Sequence, residues 1–294
     1  MVYGNGSFRA MPKCYRRDML IAQISDSHVS LPGRLIERAF QTSEHLARAV
    51  AHLNALDPRP DVVLHTGDIV DHGLAEEYEH AREILAALAM PLYVIPGNHD
   101  DRAGLRQAFG RDGYLPRDDG FLQYVVEDLP LRLVALDTLV PKSAEGRLCR
   151  QRLTWLDTQL AAAPSVPTML LMHHPPFVSG LTVMDQTMGL EGIDELAAIV
   201  RRHPQVERIL SGHLHRPMLR RFAGTVACTC PSTAHQLGLD LPPQTRLTVA
   251  MEPPAAMIHC WLGDGAGLVS HLSVIGSYPT HVVFEDGKWL PLKD

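Results

Sequence analysis

Apolar residues in this chain recur with two different periods. "MLIAQIS" (Met19–Ser25) is a short continuous apolar run ending in polar residues, as in a strand buried on both faces. From Thr42 the spacing changes: Leu46, Ala49, Val50, Leu53 and Leu56 fall on one helical face, with Thr42 or Ser43 as N-cap and Pro58 beyond the end. "DVVLHT" predicts a second strand, and "AEEYEHAREILAALA" a helix with Tyr78, Ala81, Ile84, Leu85 and Leu88 aligned; "LYVIP" predicts a third strand. A strand pair ("FLQYVVED" and "LRLVALD"), a helix ("RQRLTWLDTQLAAA"), a strand ("TMLLMHH"), a helix ("GIDELAAIVRRH") and a strand ("VERILSGH") follow. Strands alternating with helices of this length predict parallel crossovers and a layered α/β architecture. After Arg216 the rhythm changes. Residues 217–277 hold several short strand-like pieces and few helical patterns, and are expected to form a β-rich cap. Residues 278–294 include "THVVFEDGKWLPL", a hairpin pattern with Asp286-Gly287 at its turn.

The polar residues just past the strands form a second pattern. Asp26 and His28 follow the first strand, Asp68 the second, and Asn98 and His99 the third; His173 and His174 follow "TMLLM", and His213 and His215 follow "VERILS". In open α/β sheets ligands bind at that edge. On an extended segment residues i and i+2 point the same way, so Asp26 and His28 are expected to face one ion together, while His213 and His215 are expected to face one site and give one imidazole each to neighbouring ions. Gly67, Gly97 and Gly212 each precede a candidate ligand and allow the chain a close approach. Carboxylate, amide and imidazole donors without thiolate suit Mn, Fe or Zn, with Co in the same range, and argue against a structural zinc site. Asp26, His28, Asp68, Asn98, His173, His213 and His215 are too many for one ion and about right for two, with Asp68 the natural bridge. Alone, each would pass for a turn, a helix cap or a satisfied histidine; their recurrence at five strand ends decides for metal. His45, His52, His72, His80, His203, His259, His271 and His281 are read as helix-face or loop residues, and His65 as a core residue or one supporting the ligands.

Composition narrows the function. The 294 residues are 46% hydrophobic and carry a net charge of −6, which gives no basic footprint for nucleic acid or a membrane surface. An anionic substrate needs local positive charge from something other than the overall balance, which a metal centre could supply. Five cysteines (Cys14, Cys149, Cys228, Cys230 and Cys260) form no even framework and favour a reducing compartment. Cys228 and Cys230 are expected to be packing residues. Residues 1–18 carry Arg and Lys but no apolar core of a secretory signal, and are expected to be a disordered extension. No run reaches the ~18 apolar residues of a membrane span. The default expectation is a soluble cytoplasmic protein.

D-x-H, G-D, G-N-H-D, H and G-H-x-H in this order resemble the calcineurin-like metallophosphoesterase superfamily. "QISDSH", "PGNHDD", "MHHPP" and "SGHLH" look most like its bacterial class III cyclic-nucleotide phosphodiesterase and glycerophosphodiesterase branch. The resemblance covers Met19 to His215 and implies a four-layer α-β-β-α sandwich with a dinuclear centre at the sheet edge. It implies a catalytic domain over 19–216, a cap and dimerisation segment over 217–277, and a C-terminal hairpin over 278–294 returning to the catalytic domain. By motif, Asp26, His28, Asp68 and His215 would hold one metal, and Asp68, Asn98, His173 and His213 the other. His99 would lie near the leaving group, and His235 in "STAHQ" resembles an additional active-site histidine. Where purple acid phosphatases place a Tyr ligand, this chain has Asp71.

The implied activity is hydrolysis of a small phosphodiester, a 3',5'-cyclic nucleotide such as cAMP or a glycerophosphodiester. Two ions about 4 Å apart can activate a bridging hydroxide for in-line attack. No G-x-S-x-G motif supplies a protein nucleophile. Rival readings are a phosphomonoesterase, for which Arg102 and Arg147 are candidate clamps although Arg102 reads as a solvated helix start, a nuclease, and a non-catalytic scaffold. A nuclease should present basic and aromatic surface, and only 6% of residues are aromatic. The expected partners are a small diester and further copies of the chain, in a homodimer or higher homo-oligomer.

Overall fold

A computed structural model describes residues 18–242, 246–263 and 265–290. Apart from Asp18, the expected N-terminal extension lies outside the described residues. In chain order the elements are β1 (Met19–Ile24), α1 (Leu35–Phe40), α2 (Thr42–Ala55), β2 (Val62–His65), α3 (Ala75–Leu85), β3 (Leu92–Val94), α4 (Arg102–Phe109), β4 (Tyr124–Val126) and β5 (Arg132–Ala135). Then come β6 (Gly146–Arg147), α5 (Arg150–Ala162), β7 (Thr168–Leu171), α6 (Thr182–Thr187), β8 (Leu190–Glu191), α7 (Ile193–Arg202), β9 (Val206–Ser211), β10 (Met218–Phe222) and β11 (Thr225–Thr229). The chain closes with β12 (Gln236–Leu237), β13 (Val249–Ala250), β14 (Ala255–Trp261), β15 (Leu268–Val274), β16 (Phe284–Glu285) and β17 (Lys288–Trp289).

Two sheets carry the architecture. One runs β15-β14-β1-β2-β3, the other β10-β11-β9-β7-β5-β4. β1, β2 and β3 are mutually parallel, as the intervening helices require, and β14 and β15 continue that sheet antiparallel. β5, β7, β9 and β11 are parallel in the second sheet, with β4 and β10 as antiparallel edges. Every residue of β1, β2, β5 and β7 is buried, which explains their unbroken apolar runs.

The period of two along the strands separates two cores. Leu133, Ala135, Met169, Leu171 and Leu210 pack into the core shared with β1, β2 and helices α2 to α4. Their neighbours Val134, Leu170 and Ile209 face the other way, toward Leu153, Leu156 and Leu160 of α5 and Leu196, Ile199 and Val200 of α7. The layers are therefore helices, sheet, sheet, helices, as in the α-β-β-α sandwich expected from the motifs.

Residues 217–277 do not stand apart as a cap. β10 and β11 extend the second sheet and β14 and β15 extend the first; among the described residues of this stretch only the short strand pair β12–β13 lies outside them. Periodicity revealed strands there but not their partners, which are distant in sequence. α2 also begins differently from expectation: Gln41, with left-handed φ of 49°, precedes it, and the Thr42 and Ser43 hydroxyls donate to Glu37 rather than capping the helix. Asp286 and Gly287, with φ of 48° and 78°, turn the hairpin between β16 and β17.

Candidate metal centre

The carboxyl ends of β1, β2 and β3 in one sheet and β7 and β9 in the other meet at one place. The loops after β1 and β2 are zipped together, Asp26 N donating to Gly67 O (3.0 Å), His28 N to Asp68 O (3.0 Å) and Val29 N to Ile69 O (2.9 Å). Asp26, His28, Asp68, His213 and His215 all have left-handed backbone, with φ of 53°, 45°, 52°, 70° and 48°. That conformation costs roughly 1–2 kcal/mol for each side chain with a Cβ and collects at functional sites. The extended i, i+2 geometry expected from the spacing is thus corrected: the chain coils back at both members of each pair, which brings Asp26 and His28 into one cluster and sends His213 and His215 to two neighbouring ones. A Cβ on Gly97 would collide with the Asp68 carboxylate, and one on Gly212 with the Ser25 hydroxyl and the Asp26 carboxylate.

In "GNHDD" each residue has its own task. Asn98 and His99 face the site, where the His99 amide donates to Asp68 Oδ1 at 2.8 Å. The buried Asp100 carboxylate accepts from Gly97 N (2.8 Å) and Tyr78 Oη (3.0 Å), which shapes the loop. Asp101 caps α4 by accepting from Gly104 N at 2.9 Å.

The seven expected ligands converge. His173 Nε2 lies 3.1 Å from Asn98 Oδ1 and 3.2 Å from Asp68 Oδ2. His215 Nε2 lies 3.4 Å from Asp26 Oδ1 and 3.1 Å from His28 Nε2, and His28 Nε2 lies 3.8 Å from Asp68 Oδ2. His213 shares a cluster with Asp68 and His173. In each imidazole one nitrogen faces an acceptor and so carries the proton: His173 Nδ1 faces Thr66 O (2.8 Å), His215 Nδ1 faces His235 O (2.9 Å), His213 Nε2 faces Met188 O (2.8 Å) and His28 Nδ1 faces Asp71 Oδ1 (3.3 Å). In His28, His213 and His215 the other nitrogen turns a lone pair inward, whereas His173 Nε2, facing Asp68 Oδ2 and Asn98 Oδ1, holds a proton that a cation would replace. His28 and His215 thus oppose two lone pairs at 3.1 Å, an arrangement that a cation between them relieves. Donors about 2.1 Å from one ion and at right angles lie about 3 Å apart, so these spacings fit shared metal ions.

The electrostatics set His173, which takes up the charge of Asp68, apart from the three neutral imidazoles. Burial pushes the Asp26 carboxyl up to about 7, and neighbouring Asp68 adds to it. Burial would raise Asp68 as well, but His173, His99 and His28 hold it well below the usual carboxylate range. Burial opposes protonation of His173, yet Asp68 raises it to about 9. Burial drives His213 down to about 3 and His28 and His215 well below their ordinary value, leaving them neutral, as ligands must be. No Lys or Arg pairs with Asp26 or Asp68 among the described residues, whose ion pairs there are all with histidine.

His99 and His235 border this set. The His99 ring meets His28 edge-on at 4.6 Å between centroids, and its Nδ1 donates to Asp71 O at 2.8 Å. His235 lies 4.8 Å from His215 and stacks on Phe40 of α1 at 4.6 Å. Arg102 is not a solvated helix start: its guanidinium grips buried Asp137 with two bonds (2.6 and 2.8 Å) and donates to Leu139 O. Arg147 pairs with Glu191. Neither expected clamp is free. Sequence reasoning gave no role to Asp71, Phe40 or Asp100, although the doubled acid in "HDD" was a usable signal for Asp100. His259 was read as a helix or loop residue; it is fully buried on β14.

A calcineurin-like phosphoesterase family model matches residues 19–217. The chain is 35% identical over 260 residues to a probable glycerophosphodiester phosphodiesterase, GpdQ, of Arcobacter nitrofigilis, covering 88% of this chain and 94% of that one. It is 33% identical over 233 residues to a probable cyclic nucleotide phosphodiesterase of Synechococcus, covering 79% and 88%. The crystal structure of a dimetal phosphatase from Danio rerio superposes with a TM-score of 0.62 at 15% identity, covering 88% of this chain and all of that one, a likeness of fold.

Proposed function

The chain belongs to the calcineurin-like phosphoesterase family, and on that premise we propose that it is a dinuclear-metal phosphodiesterase acting on small diesters. The observation that carries this reading is the convergence of two carboxylates, one amide and four inward-facing imidazoles from five strand ends. Asp26, His28, Asp68 and His215 would hold one ion, and Asp68, Asn98, His173 and His213 the other, with Asp68 bridging. Mn or Fe suits the mixture of hard oxygen and imidazole best, with Zn or Co as alternatives. A pair of divalent ions supplies the positive charge and the activated water that in-line hydrolysis needs.

The chain's own residues do the rest. His99 is half-exposed at the mouth; burial opposes its protonation, but Asp68 and Asp71 outweigh that and raise it above its ordinary value. It is the proton donor to the departing alkoxide. His235, backed by Phe40, contacts the bound diester. The pairing of Arg102 and Arg147 elsewhere disfavours a monoesterase, whose dianionic substrate calls for free cations.

Relatives named for glycerophosphodiester and for cyclic-nucleotide hydrolysis are about equally similar, so both substrate types belong to the proposal. No described helix is long and apolar enough to cross a membrane. Buried Cys228, whose thiol burial pushes up to about 11, and buried Cys230 support a reducing, cytoplasmic setting. A homodimer is supported by the exposed Tyr278, Val282 and Trp289 of the C-terminal hairpin region. The test is to strip the chain with chelator, reload it with Mn, and compare rates on cAMP, glycerophosphocholine and an aryl diester. Loss and return of hydrolysis on at least one diester is expected; full activity in chelator overturns the reading.

A further inference from the structure

The contact between the two sheets is mostly apolar, but beneath the ligand loops a chain of buried polar groups crosses it. Gln23 of β1, Thr66 just past β2, Ser211 ending β9 and His259 of β14 are all fully buried. Gln23 Nε2 donates to Thr66 Oγ1 (2.9 Å) and to the Ser211 carbonyl (3.0 Å). A carbonyl can only accept, so the amide orientation is fixed, and Gln23 Oε1 must accept from His259 Nε2 (3.1 Å). His259 Nδ1 then accepts from Ser270 Oγ (2.8 Å), which itself accepts from Arg208 Nη1 (3.0 Å). Both amide protons and the amide oxygen of Gln23 are satisfied.

The position of this chain matters more than its existence. The Thr66 carbonyl accepts the Nδ1 proton of His173 at 2.8 Å, and Asp68 lies two residues further along the same loop. Ser211 is followed directly by Gly212 and His213. Gln23 therefore ties the root of the loop carrying Asp68 in one sheet to the root of the loop carrying His213 in the other. Apolar contact between sheets is not directional and allows small slides, whereas a ligand set has to be held to within about 0.5 Å. The fully satisfied Gln23 amide supplies direction, and breaking its bonds leaves buried polar groups unpaired.

We propose that Gln23, braced by His259, is a positioning residue that sets the distance between the two halves of the metal site. This rests on the dinuclear reading above. It deepens that reading by assigning the register of the site to a residue that touches neither ligand side chain nor substrate.

The test uses the full chain loaded with Mn. Gln23→Leu is expected to fold, with an unchanged circular dichroism spectrum. Its second Mn equivalent should bind ten- to a hundredfold more weakly, and the exchange-coupled signal of a Mn pair in low-temperature electron paramagnetic resonance should fade. His259→Leu should shift the same readouts less, and His259→Gln, which can still donate to Gln23, should restore them. The histidine pair decides the matter if Gln23→Leu does not fold. Wild-type Mn affinity and coupling in Gln23→Leu, or in both histidine variants, overturn the proposal while the dinuclear reading stands. A wild-type chain that binds less than one Mn overturns both.

Discussion

The two sheets bring chemically different halves to the site. The first supplies every proposed oxygen ligand, Asp26, Asp68 and Asn98, with one imidazole, His28; the second supplies imidazoles only, His173, His213 and His215. The imidazoles are also held differently. Those of the second sheet are oriented by backbone carbonyls at Thr66, Met188 and His235, whereas His28 depends on the side chain of Asp71. A carbonyl that belongs to the chain path cannot be removed by substitution, while a carboxylate can. Charge is concentrated on the first half and precise neutral donors on the second, so the first half should govern whether ions bind and the second where they sit.

The strongest way to break that contrast is Asp68→Ala. It removes the one group shared by both clusters and should abolish binding of both ions, with hydrolysis falling by three orders of magnitude or more. Metal analysis after reconstitution reads this directly, and two retained equivalents would show that Asp68 does not bridge. His99→Ala in the same experiment should keep both ions and lose about a hundredfold in kcat, the usual share of a general acid.

Asp71→Ala sharpens the comparison between the two ways of holding an imidazole. It frees the Nδ1 of His28 while leaving the three carbonyl-held histidines as they are. Affinity for one ion should drop by ten- to a hundredfold with the other little changed. Equal loss at both ions in a metal titration would mean that the halves do not act separately.

The smallest expected effect lies in stability against pH. Burial drives His259 down to about 3, with Arg208 and His271 adding to the effect, so the folded chain keeps it neutral where the unfolded chain, near 6.5, would protonate it. Below pH 6.5 the unfolded state binds more protons, so stability is fully present above 6.5 and is lost as pH falls toward 3. The loss is on the order of 5 kcal/mol at most. His259→Gln should flatten part of that acid branch in thermal melts; an unchanged slope would mean that His259 is protonated in the folded state.

Local chemistry was readable from the sequence because it is local. A buried strand shows as an apolar run, a turn carries its own glycine, and polar groups for a site sit just past a strand end, so β1, β2, β3, β7 and β9 and the seven side chains that converge beyond them could be named from spacing. What required tertiary structure was partnership across long separations. β14 pairs with β1 some two hundred residues away, which turned an expected cap into sheet. The left-handed turns at Asp26, Asp68 and His213 are imposed by hydrogen bonds between loops, against the residues' own preferences, so spacing alone suggested the wrong backbone. Gln23 took its amide partners Thr66 and His259 from the strands beside it and Ser211 from the facing sheet, because a hydrogen bond is decided by where both ends finally lie.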